Sequence, residues 1–260
     1  EVDLSFLRDT FLCSGEPKNF GFNSPIANHI ISWSPANGID DTTSFLPTFQ
    51  IINNTPIPID YTYNVTVTDI LSGCAWNREF TITVRSKVNV NASLDKYFCS
   101  NLGSQIGVAD PGVGFTFLWS PTLNLTNPST PVTQINATNS TTDTLNLDYV
   151  LTKTEDSSGC FSTDTVIAFV LPLPKINLND NVEICSGDTF TLGNSPRENT
   201  TYTWNPTFSL HRIDSSIVTG IIFVNSYEAY KCFITATDTL TSCSYADSVV
   251  VNVNPLPNND

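Results

Sequence analysis

Tyr61-Thr62-Tyr63-Asn64-Val65-Thr66-Val67-Thr68-Asp69, followed by Ser72-Gly73-Cys74 and then Phe80-Thr81-Ile82-Thr83-Val84, decides the fold. Large apolar side chains hold every second position in both runs, so they share one face of an extended strand. β-branched and aromatic residues suit such a pleated, half-buried surface, and Ser-Gly between the runs suits a turn. The stretch reads as an antiparallel hairpin with a cysteine at its tip. It returns twice. Tyr149 and Leu151 precede Cys160, with Val166, Ala168 and Val170 after it; Tyr230, Cys232, Ile234 and Ala236 precede Cys243, with Val249, Val251 and Val253 after it. The second version slips near Lys153, where one extra residue precedes Asp156, and a bulge is expected there.

Working outward, the hairpin belongs to a longer repeat. Cys13, Cys99 and Cys185 are spaced 86 and 86 residues apart. Trp33, Trp119 and Trp204 follow them by 20, 20 and 19 residues, and Cys74, Cys160 and Cys243 follow the tryptophans by 41, 41 and 39. Cys-Ser-Gly or Cys-Ser-Asn opens each copy, and Trp-Ser-Pro or Trp-Asn-Pro marks its middle. Leading strands appear at Leu4 and Phe6, Val90 and Ala92, and Ile176 and Leu178. The chain therefore divides into repeats at residues 1–87, 88–173 and 174–260. Pro172-Leu173-Pro174 and Pro255-Leu256-Pro257 close the second and third, while Ser86-Lys87 closes the first. Short, proline-stiffened joints between like modules predict an extended rod about 110 Å long.

Short strands with one apolar face, and no helical periodicity, predict an all-β fold: three tandem immunoglobulin-like sandwiches of antiparallel sheets. Each tryptophan, with Ile31, Phe117 or Tyr202 two residues before it, is expected to fill the space between sheets. Bridges are expected within each copy, Cys13–Cys74, Cys99–Cys160 and Cys185–Cys243, each closing about 60 residues. By chain-entropy reasoning each stabilises its domain by roughly 4 kcal/mol and implies an oxidising compartment. Cys232 is left over. Its counterpart in the first copy is inward-facing Tyr63, so its thiol is expected to be buried and free.

Composition narrows the function. Charged residues are only 14% of the chain, and their place is taken by 26 Ser, 34 Thr and 27 Asn. A net charge of −14 opposes binding to a phosphate backbone, which excludes nucleic acid as a partner. The longest apolar run, Val166 to Leu171, falls far short of the roughly 20 residues of a membrane helix. A start at Glu1 and the lack of Met suggest a processed or excised piece of a longer protein.

Cys13-Ser14-Gly15, then Trp33-Ser34-Pro35 with Gly38-Ile39, then Tyr63 through Asp69 and Ser72-Gly73-Cys74, resembles the PKD-like and immunoglobulin-like repeats of Bacteroidetes surface proteins. Tyr245 through Pro257 resembles the same family, and the likeness spans essentially the whole chain. It implies a cell-surface location attached to the outer membrane, export by type IX secretion, and a place in a gliding-motility type of adhesin. The Gly-Asp-Gly turn of PKD domains is missing after each tryptophan, so properties tied to that turn are not implied.

Catalysis has little to stand on. Ser209, His211 and Asp214 lie close in sequence, but no nucleophile elbow or oxyanion motif accompanies them, and no catalytic residue is assigned. No cofactor is expected. Asp40, Asp41 and Asp180, the last within the run Asn177 to Asn181, are the candidate oxygen ligands for calcium. Trp76, the one tryptophan outside the repeat register, is a candidate platform for a sugar ring. The family likeness also implies O-glycosylation at Asp-Ser/Thr words, here Thr42, Thr144, Thr165, Thr239 and Ser248. Three functions compete: a structural and adhesive stalk, a glycan-binding module, and an accessory region of a secreted hydrolase. The near-equal copies favour the stalk, with further copies of the repeat, surface polysaccharide or other cells as partners.

Overall fold

The computed structural model describes residues 2–178, 180–207 and 209–257. Asn179, within the run offered as oxygen donors, lies outside them. Every regular element among the described residues is a strand. The first unit holds β1 (Thr10–Leu12), β2 (Lys18–Asn19), β3 (His29–Ser34), β4 (Thr48–Phe49), β5 (Ile59–Asp69) and β6 (Ala75–Val84). The second holds β7 (Lys96–Cys99), β8 (Ser104–Gly107), β9 (Phe115–Ser120), β10 (Val132–Ile135), β11 (Leu145–Glu155) and β12 (Phe161–Leu171). The third holds β13 (Val182–Cys185), β14 (Thr189–Gly193), β15 (Thr200–Asn205), β16 (Leu210–His211), β17 (Ile217–Ile221), β18 (Glu228–Asp238) and β19 (Ser244–Asn254).

One topology is used three times. A four-stranded sheet runs β1-β6-β5-β3, β7-β12-β11-β9 or β13-β19-β18-β15, and a smaller sheet faces it: β2-β4, β8-β10 or β14-β17-β16. The first strand of each large sheet pairs parallel with the last, and the other pairings are antiparallel. This is an immunoglobulin-like sandwich with its tryptophan on the unit's third strand, at one edge of the large sheet. Each unit has its own buried cluster, drawn from Leu4 to Val84, Ala92 to Val170 and Ile176 to Val253.

The alternating residues meet across the two sheets as their period requires. Phe49 lies edge-on to both Trp33 and Tyr63, with ring centres 5.7 and 5.0 Å away. Each tryptophan does more than fill space, because its indole N–H donates across the unit. Trp33 donates to the Ser44 carbonyl, Trp119 to Thr130 and Trp204 to Ser215, each at 2.9 Å. A buried indole needs such a partner, and the bond ties the loop after the third strand to the core. The peptide bonds Ser34–Pro35, Ser120–Pro121 and Asn205–Pro206 beside these tryptophans are all cis.

The expected bulge near Lys153 is not there. β11 pairs with β12 without interruption, Tyr149 to Val166, Leu151 to Asp164 and Lys153 to Ser162. Lys153 simply takes the inward position that Val67 holds in the first unit, and Glu155, not Asp156, matches Asp69. A lysine is tolerated there because its Nζ reaches Asp110 at 2.6 Å and sits 4.3 Å from the Phe115 ring centre. Charge pairing and an aromatic face offset its loss of water.

The expected bridges within copies are also overturned. Cys13 is bonded to Cys160 and Cys99 to Cys243, while Cys74, Cys185 and Cys232 carry no bridge. Strand geometry explains why Cys13–Cys74, Cys99–Cys160 and Cys185–Cys243 do not form. Leu12 pairs with Val84, the last residue of β6, and Cys13 follows it; Cys74 precedes Ala75, the first residue of β6. Ten residues of strand separate the two ends, about 33 Å, whereas a disulfide needs Cα atoms within about 7 Å. β12 and β19, each 11 residues long, part the other two pairs in the same way.

Candidate functional site

Each unit carries one cysteine at either end. The first cysteine stands at the downstream end, beside the end of the last strand: Cys99 pairs with Leu171 and Cys185 with Asn254. The second cysteine stands at the upstream end, in the hairpin before the last strand. Cys13–Cys160 thus runs from the downstream end of the first unit to the upstream end of the second, and Cys99–Cys243 repeats this one unit later. Their Cα atoms are 5.4 and 5.5 Å apart, within the ordinary range for a disulfide. These two locked joints are the features that set how the units are held.

Local chemistry prepares both halves of a joint. On the hairpin side, the amide of Asp69, Glu155 or Asp238 donates to the carbonyl of Cys74, Cys160 or Cys243 at 2.9, 2.7 and 2.8 Å. The amide of that same cysteine donates to the hydroxyl two residues back, Ser72, Ser158 or Thr241. Asp69 and Asp238 accept backbone amides within the turn, from Leu71 and from Thr241 in the first place, and these bonds hold both carboxyls below their usual range. Gly73 and Gly159 sit at φ 73 and 75, the left-handed region that glycine adopts without strain.

On the strand side, Cys13, Cys99 and Cys185 each open a tight turn, with carbonyls accepting from Glu16, Leu102 and Asp188. The following serine bonds inward, Ser14 with Asn53, Ser100 with Asn139 and Ser186 with Val224. Asn53 and Asn139 are fully buried, and their amides donate to the Val84 and Val170 carbonyls at the end of the last strand. Sequence reading missed these asparagines. The signal was present: Asn53 and Asn139 are 86 residues apart, each followed two residues on by a threonine that bonds it. In the third unit Val224 takes the place, so the device is used twice.

The remaining candidates are scattered. Asp40 accepts the amides of Thr48 and Asp41, and Asp41 accepts the amide and hydroxyl of Thr43. Both carboxyls are thereby held below their usual range, and both make turns. Asp180 is exposed and far along the chain, and no group of three or more metal-ligating side chains occurs among the described residues. Trp76 is half-buried against the first core, with its ring 5.8 Å from that of His29, so it offers less than a full face to a sugar. Thr144, Thr165 and Thr239 are exposed, whereas Thr42 and Ser248 are half-buried. Ser209, His211 and Asp214 lie at the surface around β16. Cys232 is buried opposite Val249, the place of Tyr63 opposite Phe80, and burial pushes its thiol up.

No protein-family model matches the chain, and no curated protein matches it. Solved structures of tandem domains do. An I-band fragment of titin, I67–I69, is 12% identical, covering 96% of this chain and 97% of its own, with a TM-score of 0.39. Domains 3–5 of Drosophila OTK are 9% identical over 96% and 95%, TM-score 0.35. The three N-terminal domains of the Hoc capsid protein of bacteriophage RB49 are 11% identical over 94% and 96%, TM-score 0.36. At such values no property of those proteins passes to this chain.

Proposed function

We propose that this chain is a non-enzymatic structural and adhesive stalk outside the cell, built of immunoglobulin-like repeats whose joints are covalently braced. The observation that carries this reading is the pair of bridges Cys13–Cys160 and Cys99–Cys243, each tying the downstream end of one unit to the upstream end of the next. A bond across a joint does little for chemistry at a pocket. It restricts bending between units, which is what a stalk requires. Bridges of this kind persist in oxidising surroundings, which supports an extracellular location.

The resemblance of Cys13-Ser14-Gly15, Trp33-Ser34-Pro35 and Tyr245 through Pro257 to Bacteroidetes surface repeats supports the finer reading. On that reading the chain belongs to a large adhesin of the gliding-motility type, exported by type IX secretion and attached to the outer membrane. Its partners are further repeats and the polysaccharide or cells it touches, and its surface hydroxyls at Thr144, Thr165 and Thr239 carry O-linked sugar. Small-angle scattering of the chain before and after reduction tests the stalk. An elongated particle that becomes more flexible when the two bridges are reduced is the expected result. A compact, nearly spherical particle overturns it.

A further inference from the structure

Three cysteines carry no bridge, and two of them are exposed: Cys74 and Cys185. These two are not stray thiols. Cys74 is the counterpart of Cys160 and Cys243, and Cys185 is the counterpart of Cys13 and Cys99. All four counterparts are bonded, and every bond joins the first cysteine of one unit to the hairpin cysteine of the next. The rule leaves one cysteine of each kind over: the hairpin cysteine of the first unit and the strand cysteine of the third.

Both leftover half-joints are built like the occupied ones. The hairpin around Cys74 has the same amide bonds as those around Cys160 and Cys243, at nearly the same lengths. Cys185 ends β13 beside Asn254, as Cys99 ends β7 beside Leu171, and the Asp188 amide closes its turn as Leu102 does at Cys99. What differs is cover. Cys160 is 2% exposed and Cys243 0%, each buried within a joint to the unit before it, while Cys74 is exposed.

We propose that Cys74 and Cys185 are open half-joints that take a further copy of the same repeat. Cys74 bonds the strand cysteine of a repeat placed before the first unit, and Cys185 bonds the hairpin cysteine of a repeat placed after the third. The bridges then form a continuous ladder, one rung per joint, and the stalk grows without a break in its bracing. The two half-joints do not serve each other within this chain: both thiols are free, Cys74 at the upstream end of the first unit and Cys185 at the downstream end of the third. Each rung forms by exchange with a small disulfide such as oxidised glutathione. Two thiols lose two protons and two electrons, one S–S bond forms, and the small disulfide is reduced to two thiols. The partner named here rests on the stalk reading; the pairing rule rests on the two observed bridges.

A duplicated chain tests it: residues 1–255 followed directly by a second copy of residues 1–260. This places Leu4 of the second copy six residues past Val253, as Val90 lies six past Val84 and Ile176 six past Val170. After oxidation in a glutathione buffer and digestion without reduction, mass spectrometry should find Cys185 of the first copy joined to Cys74 of the second. The four bridges inherited from the two copies should appear beside it. A Cys74→Ser change in the second copy should leave that Cys185 free to alkylation. The proposal is overturned if those four bridges form while Cys185 and the second Cys74 stay alkylatable, or if either bonds a different cysteine. In that case a stiff, elongated particle by scattering still leaves the stalk reading standing, so the two failures are told apart.

Discussion

Cys99 pairs with Leu171 on the last rung of a parallel ladder, while Cys160 stands before Phe161 at the far end of the same strand, β12. That single relationship sends each cysteine to a neighbouring unit for its partner. It turns what looked like a staple within a domain into a brace between domains.

The first prediction concerns that brace. Cys160→Ser should free Cys13, which becomes alkylatable, and leave Cys99–Cys243 intact; bridges within copies would free Cys99 instead. Each bridge spans 147 or 144 residues, and chain entropy sets its loss at up to about 5 kcal/mol. Peptide mapping of the non-reduced variant, with calorimetry beside it, reads both effects.

Thiol reactivity separates the three unbridged cysteines. Cys74 and Cys185 are exposed and should react promptly with a bulky disulfide reagent. Cys232 is buried and its thiol is pushed up by that burial, so it should react only as the third unit unfolds. Two fast equivalents and one slow one are expected; three fast ones would contradict the packing around β18.

In the second unit, where Trp119 is fully buried, the indole bond can be weighed against the volume the ring fills. Trp119→Phe keeps an aromatic ring but loses the donor to Thr130, and should cost about 1–3 kcal/mol in denaturant unfolding. Trp119→Ala leaves a much larger cavity than Trp119→Phe and should cost about 3–5 kcal/mol. Equal losses would mean that the hydrogen bond rather than the volume decides the site.

Acid should weaken the second unit through Asp110. The hydrogen bond from Lys153 holds its carboxyl below the usual range. The folded value lies below the unfolded one, so the stability is present above the ordinary carboxylate range and lost as pH falls through the folded value. Asp110→Asn should flatten this part of the pH dependence of unfolding. An unchanged acid slope would show that the pair contributes nothing.

Base acts on the first unit. Burial, and secondarily the nearby Tyr61, push the Tyr63 hydroxyl up to about 12, while it donates to the Asn37 carbonyl. A raised folded value means the stability is full below the unfolded tyrosine range near pH 10 and is lost as pH rises towards 12. Spectrophotometric titration should show Tyr63 ionising last, and Tyr63→Phe should remove that late step.

Period-two alternation and the 86-residue recurrence were enough to read an all-β chain of three sandwiches, because strand faces and turn words are local properties. The tryptophans and the buried place of Cys232 followed from the same register. Lys153 was misread because alternation alone treats a charged residue at an inward position as a slip; its partner Asp110 lies 43 residues away, beyond any local pattern. Asn53 and Asn139 were overlooked for the same reason, since their amides meet strand ends 31 residues on. The disulfide partners could not be chosen from spacing at all. A constant repeat offers each first cysteine a hairpin cysteine in its own copy and another in the next, and both look alike along the chain. Only the tertiary structure decides between them, because a strand of ten or eleven residues holds the two cysteines of one unit at opposite ends, while the joint brings those of adjacent units within 5.4–5.5 Å between Cα atoms.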